Sequence, residues 1–191
     1  MRLYHYSVDS FTGGSSLTND FKNQYGYAEP FLLALRQSRE IFTAAYFAAM
    51  YMSRELVALK LRKYENYRKD AAEAIFEHVR ETEFPDLPGR LHCVYYCRSK
   101  EEAAAYAEDD CLADGLFSKE QVRLFAVETD GSRIREYDQS FYNHALEALQ
   151  RNDFDSVYAD ARRYYSQERS ESPLIEIIAD GENRIIESLP W

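Results

Sequence analysis

The sequence predicts an α+β fold, and three patterns carry that expectation. A strand-like stretch lies within the first ten residues, MRLYHYSVDS. From Pro30 onward, apolar residues recur at spacings of three and four over a long helical region. Strand-forming runs then return in the second half, at Leu91–Cys97, Val122–Glu128, Leu174–Ala179 and Arg184–Leu189. At 191 residues and 46% apolar, the chain suits one globular domain, 1–191, with its own core.

In the first strand, side chains alternate, so His5 and Ser7 share one face and Tyr4 and Tyr6 the other. Phe11, Gly13, Gly14 and Leu17 follow as a loop suited to wrapping a ligand. A polar, aromatic loop between Asn19 and Pro30 holds Phe21, Tyr25, Gly26 and Tyr27; loops of this length serve either as binding loops or as plain connectors. The helical stripe then runs through Leu32, Leu35, Ile41, Phe42, Ala45, Ala48, Met52, Leu56 and Leu59. Its Ala-rich centre permits close helix packing. Alternating charge marks Lys60 to Lys69 as solvated, and a second helix is expected from about Asp70 to Thr82, with Ala74, Ile75, His78 and Val79 inward. Pro85 and Pro88 then break the chain. Together these helices predict a helical insertion over about 30–83, placed between two strands.

Ser99 is placed to cap a helix carrying Glu101 and Glu102 in its first turn, with Ala103, Ala104, Tyr106 and Ala107 inside. A turn is expected at Asp130-Gly131, and helices over Gln139–Gln150 and Phe154–Tyr165. Asp180-Gly181 between the last two strands is a hairpin signal.

Composition narrows the function classes. A net charge of −10 argues against broad nucleic-acid binding and against an anionic membrane surface, because both repel acidic surfaces. One anionic ligand held by a local arginine stays open. Cys93, Cys97 and Cys111 form no disulfide framework, and with four histidines no zinc site is expected. Reduced thiols, no signal peptide and no span-length apolar run point to the cytoplasm, or to delivery into a host cytoplasm.

Two residues stand out chemically. His5 sits mid-strand, where a hydrogen-bonded histidine of an ordinary edge strand is the plain alternative. Glu176 shares its strand face with Leu174 and Ile178; buried there, it must meet a partner, water or a ligand. On an edge strand it would instead point to solvent and deter aggregation. Glu128, at the end of its own strand, competes for any acidic role.

Leu3-Tyr4-His5-Tyr6-Ser7 with Gly13 and Gly14 behind it resembles the first motif of ADP-ribosyltransferase-fold proteins of the His-Tyr-Glu type. Val94-Tyr95-Tyr96 followed by the helix from Ser99 resembles the second, and Ile175-Glu176-Ile177 the segment supplying the third. Pro88-Gly89-Arg90 resembles the Pro-Ser-Arg of small bacterial and phage-related members, with Gly89 in place of serine. The resemblance implies a split, mostly antiparallel sheet with a cleft, and NAD as substrate. It further implies that His5 bonds the nicotinamide-side ribose, and that Ser7 or the backbone beside it holds the carboxamide. Tyr95 would stack on the nicotinamide, with Tyr96 on the opposite face, and Arg90 would pair with the pyrophosphate. Glu176 would stabilise the positive charge that develops on the ribose as the glycosidic bond breaks. No metal enters this chemistry.

The expected function is transfer of ADP-ribose to an unidentified acceptor, a protein rather than a nucleic acid, in a toxin, phage-host conflict or defence setting. One rival is a catalytically degenerate nucleotide- or protein-binding module, working or dimerising through the helical insertion. Another is a phosphotransferase acting on RNA ends, which the acidic balance disfavours. His92 reads as structural, and the run Asp160 to Tyr165 as a helix packing by its tyrosines or as part of a cleft wall.

Overall fold

The computed structural model describes residues 1–17, 28–38, 64–113, 115, 117–129 and 134–191. The expected loop residues Phe21 to Tyr27, the Ala-rich helix centre and the turn at Asp130-Gly131 lie outside them. The fold is α+β, with antiparallel strand pairing and several helices. Its residues group into two compact units, each built from separated stretches of chain.

The first unit comprises Met1–Phe21, His92–Glu136 and Glu176–Trp191. Its larger sheet has the order β1 (Arg2–Ser7), β4 (Arg123–Thr129), β7 (Asn183–Leu189), β2 (Ser16–Leu17), paired antiparallel throughout. Register sets Leu3 opposite Val127 and His5 opposite Phe125. A second sheet has the order β3 (Val94–Tyr96), β6 (Ile175–Ala179), β5 (Ile134–Asp138), with Val94 facing Ala179 and Tyr96 facing Ile177.

Alternation sorts the side chains of these strands. Leu3, Phe125, Val127 and Ile185 from one sheet and Val94, Tyr96, Ile177 and Ala179 from the other make one core. A second core forms where helix α3 (Lys100–Ala107) lays Ala103 and Ala107 against Cys97 and Leu124, with Tyr4, Tyr6 and Tyr106 at its margin. Ser99 caps α3 as expected, its Oγ accepting from the Glu102 amide at 3.1 Å. The helix continues into a π-helical turn, Glu108–Leu112.

The second unit comprises Lys22–Leu91 and Tyr137–Ile175. It holds α1 (Glu29–Ser38), α2 (Tyr64–Glu83), α4 (Gln139–Gln150) and α5 (Phe154–Tyr165). Helix α2 begins within the stretch expected to be solvated. Its inward face carries Ala71, Ala72, Ile75, Phe76 and Val79, and with them the carboxylates of Glu73 and Glu77. Phe76 meets the rings of Tyr142 and Tyr164 edge-on, and Tyr137 stacks on Tyr164 with centroids 4.3 Å apart. The tyrosines of Asp160 to Tyr165 are packing residues, both Tyr164 and Tyr165 being buried.

Three expectations need correction. β6 and β7 do not form a hairpin: β6 pairs with β3, whereas β7 pairs with β4 and β2. Gly181, at φ +98°, does turn the chain, but the turn carries it from one sheet to the other. The strand expected over Leu91–Cys97 is shorter, because Arg90–His92 forms a single 3-10 turn ahead of Val94. Strand β5, Ile-Arg-Glu-Tyr-Asp, was not foreseen, since three of its five residues are charged. Among the described residues, no helix is long and apolar enough to cross a membrane.

Candidate functional site

Within the first unit, β1 and β3 meet through a single bridge. The Tyr4 amide donates to the Cys97 carbonyl at 3.0 Å, and the Cys97 amide to the Tyr4 carbonyl at 2.8 Å. In a continued antiparallel ladder the next bonded pair would be Tyr6 and Tyr95. At that step the Tyr95 carbonyl is met instead by a side chain, His5 Nδ1, at 2.9 Å. A carbonyl only accepts, so Nδ1 carries the proton and donates. Burial pulls the imidazole pKa below its ordinary value, against the opposing influence of the Tyr95 carbonyl and Asp9. The ring is therefore neutral at pH 7. His5 thus seals the place where the strands part.

Tyr95 faces Ile178 across the β3–β6 pair, and Tyr96 faces Ile177. Alternation then sets Glu176 on the face of Tyr95 and Ile178, away from the core face of Tyr96 and Ile177. Glu176 is 8% exposed and Tyr95 half-buried. From α3, Tyr106 comes within electrostatic reach: burial first, then the charges of Cys97 and Glu176, raise its phenol pKa. The phenol of Tyr6 donates to the Asp110 carboxylate on the π-helical turn, and burial followed by that charge drives its pKa far up. Burial also pushes the Cys97 thiol up to about 12, so it is no nucleophile at neutral pH.

Of the residues singled out in the sequence, His5, Tyr95 and Glu176 belong to this unit, but on different terms. His5 touches Tyr95 through the main chain, and its ring lies on the Tyr96 side, centroids 6.0 Å apart. Tyr95 and Glu176 share the other face. Ser7 uses its Oγ to accept the Asp9 amide at 3.0 Å, closing the turn after β1. Glu128 is exposed on β4, opposite Arg2 on one side and Arg184 on the other.

Arg90 occupies a different environment, inside the second unit. Its Nε and Nη2 donate to the two carboxylate oxygens of Glu73, each at 2.9 Å, and Nη1 donates to the Tyr164 hydroxyl at 2.9 Å. The guanidinium also lies over the Tyr142 ring, 4.3 Å from its centroid. At 1% exposure, this fork is committed to the core and presents no face to a pyrophosphate. The glycine before it has its own cause. A Cβ on Gly89 would stand 2.8 Å from Glu77 Oε2, a carboxylate held by Arg80. A serine there would displace that buried carboxylate.

Sequence reasoning placed Tyr106 inside with Ala103, Ala104 and Ala107 and gave it no part in the site; it lies three residues after Ala103, on the side by which α3 meets the sheet.

A family model described as a protein of unknown function, DUF2441, matches residues 7–190. No curated protein matches the chain. Since the match spans almost the whole sequence, the chain belongs to the DUF2441 family.

Proposed function

We propose that the protein transfers ADP-ribose from NAD to an acceptor, using the Tyr95 face of the first unit. The observation that carries this reading is the placement of a nearly buried Glu176 on the same face as Tyr95, with Tyr106 within reach of its charge. The two rings supply the aromatic surfaces that a planar nicotinamide needs for orientation. As the bond from ribose C1′ to the ring nitrogen breaks, its electron pair neutralises the pyridinium and leaves positive charge on the ribose. A carboxylate held in place stabilises that charge without having to reorganise. The acceptor then bonds to C1′ and releases its proton. His5 lies on the Tyr96 side and fixes the Tyr95 main chain from there. Pyrophosphate recognition falls to groups other than Arg90.

The test is release of nicotinamide from labelled NAD by the wild type and by Glu176→Gln. Release that drops by about a hundredfold or more in the variant supports the carboxylate role. Equal release from both proteins removes Glu176 from the chemistry.

The commitment of Arg90 to Glu73 favours one second reading, a degenerate module that binds a nucleotide or protein partner without catalysis. NAD binding without nicotinamide release would select it.

A further inference from the structure

In the helical unit, an exposed imidazole rests on a buried carboxylate. The His144 side chain, on α4, is 52% exposed, and that of Asp160, across on α5, only 4%. His144 Nδ1 meets Asp160 Oδ2 at 2.5 Å. An ionised carboxylate only accepts, so the proton of this bond stands on Nδ1, and the neutral ring keeps a lone pair on Nε2. Among the described residues Nε2 has no hydrogen-bond partner. Burial penalises the Asp160 charge, and the bond from His144 offsets part of that cost. The same bond makes Nε2 more basic and fixes the direction in which its lone pair points.

A cation stands beside this pair. Arg163, one turn after Asp160, brings Nη1 to 3.9 Å from Asp160 Oδ1. Its Nε and Nη2 donate to Glu168, and its Cζ lies 4.2 Å from the centroid of Phe141, one turn before His144. Among the described residues Nη1 donates to no acceptor. One carboxylate therefore joins a nitrogen with a lone pair to an N–H group suited to anionic oxygens. The guanidinium repels a divalent cation, which argues against a metal on Nε2. Asp153 adds a second carboxylate on this side, tied to the Ser156 amide and hydroxyl, with Arg151 within reach of its charge.

We propose that His144 is a phosphoryl-acceptor site, taking a phosphoryl group from an acyl phosphate onto Nε2, with Asp160 as its positioning residue and Arg163 as the cation that meets the phosphoryl oxygens. This site is separate from the Tyr95 face and independent of the NAD reading. The Nε2 lone pair forms the bond to phosphorus while the bond from phosphorus to the bridging oxygen breaks. The carboxylate leaves with that electron pair. The proton stays on Nδ1, where Asp160 neutralises the positive charge that the ring acquires. Arg163 Nη1 stabilises the equatorial oxygens during the transfer.

The experiment uses acetyl phosphate as donor, with 31P NMR and mass spectrometry under acid-free conditions to locate and time the label. N-acetylhistidine amide is the reference for an imidazole that is merely exposed. Expected is a label on Nε2 of His144, arriving at least about tenfold faster than on the reference. His144→Gln should abolish it. Asp160→Asn should slow it by about tenfold to a hundredfold, and Arg163→Gln, at an exposed position, by about tenfold or more. A label on Nδ1, a label shared with other histidines, or a rate no better than the reference overturns the proposal. So does an unchanged rate in Arg163→Gln, a result that does not depend on whether Asp160→Asn folds.

Discussion

Arg90 and Glu73 form a two-point ion pair inside the helical unit, with both side chains almost wholly removed from solvent. The fork geometry matches guanidinium to carboxylate, and the Tyr164 hydroxyl and Tyr142 ring take up the rest of the cation. An arginine that looks in sequence like a ligand-binding residue is here a keystone for α2, α4 and α5.

Removing one partner leaves a buried charge uncompensated. Glu73→Gln is expected to lower unfolding free energy by about 3–5 kcal/mol. Urea denaturation followed by far-ultraviolet circular dichroism checks this. A loss below about 1 kcal/mol would mean that water reaches the site.

Asp138 caps α4 and accepts three amides, from Ser140 at 3.0 Å, Ser170 at 2.8 Å and Leu174 at 3.0 Å. Burial works to raise its pKa, but the hydrogen bonds outweigh it and hold the carboxyl at about 2. A depressed carboxylate contributes stability above its unfolded value of 3.8, and that stability is lost as pH falls toward 2. Asp138→Ala should cost about 3 kcal/mol at pH 7, combining a lost cap with orphaned amides. Its unfolding midpoint should also vary less with pH between 4 and 2 than that of the wild type, as titration of thermal melts would show.

The imidazole of His5 predicts a loss in the same direction at higher pH. Its pKa in the folded protein lies below the ordinary 6.5, so below that pH the unfolded chain binds a proton that the folded one refuses. Stability should therefore fall on acidification from about 6.5, with a slope of up to about 1.4 kcal/mol per pH unit. Burial lowers His78 on α2 in the same direction, so the wild type alone does not isolate the effect. Comparing melts of wild type and His5→Asn does: the variant should show a shallower slope.

Tyr106 gives the most direct probe of the proposed site. Tyr106→Phe keeps the ring and should retain nicotinamide release within about threefold, whereas Tyr106→Ala should reduce it by about tenfold or more, matching the loss of one stacked ring. Steady-state assays of both variants decide. Equal loss in both would shift the role from the ring to the hydroxyl.

Much of the local structure was legible in the chain. Helices α4 and α5 run from Gln139 to Gln150 and from Phe154 to Tyr165, with the ends that periodicity gives. The Ser99 cap followed from one hydroxyl ahead of two glutamates. Strand partners were not legible, because alternation shows which side of a strand is apolar and says nothing of its neighbour. β6 and β7 therefore read as a hairpin although they lie in different sheets. The fate of Arg90 was hidden for a related reason. Its partner Glu73 stands in a helix whose apolar stripe already accounts for the burial, and a carboxylate on that stripe reads as noise. His5 and Tyr95 were each visible as types, but their contact depends on where a ladder ends.

The long separations within the larger sheet also shape how the molecule acquires its form. Leu3 must find Val127 and Ser16 must find Arg184, so the rungs of β1 with β4 and of β2 with β7 each close a loop of well over a hundred residues. The hairpin of α4 and α5 joins neighbours only a few residues apart and has no such search to complete. Refolding from denaturant is accordingly limited by strand assembly, with helical signal recovering first and the His5 seam among the last features to appear.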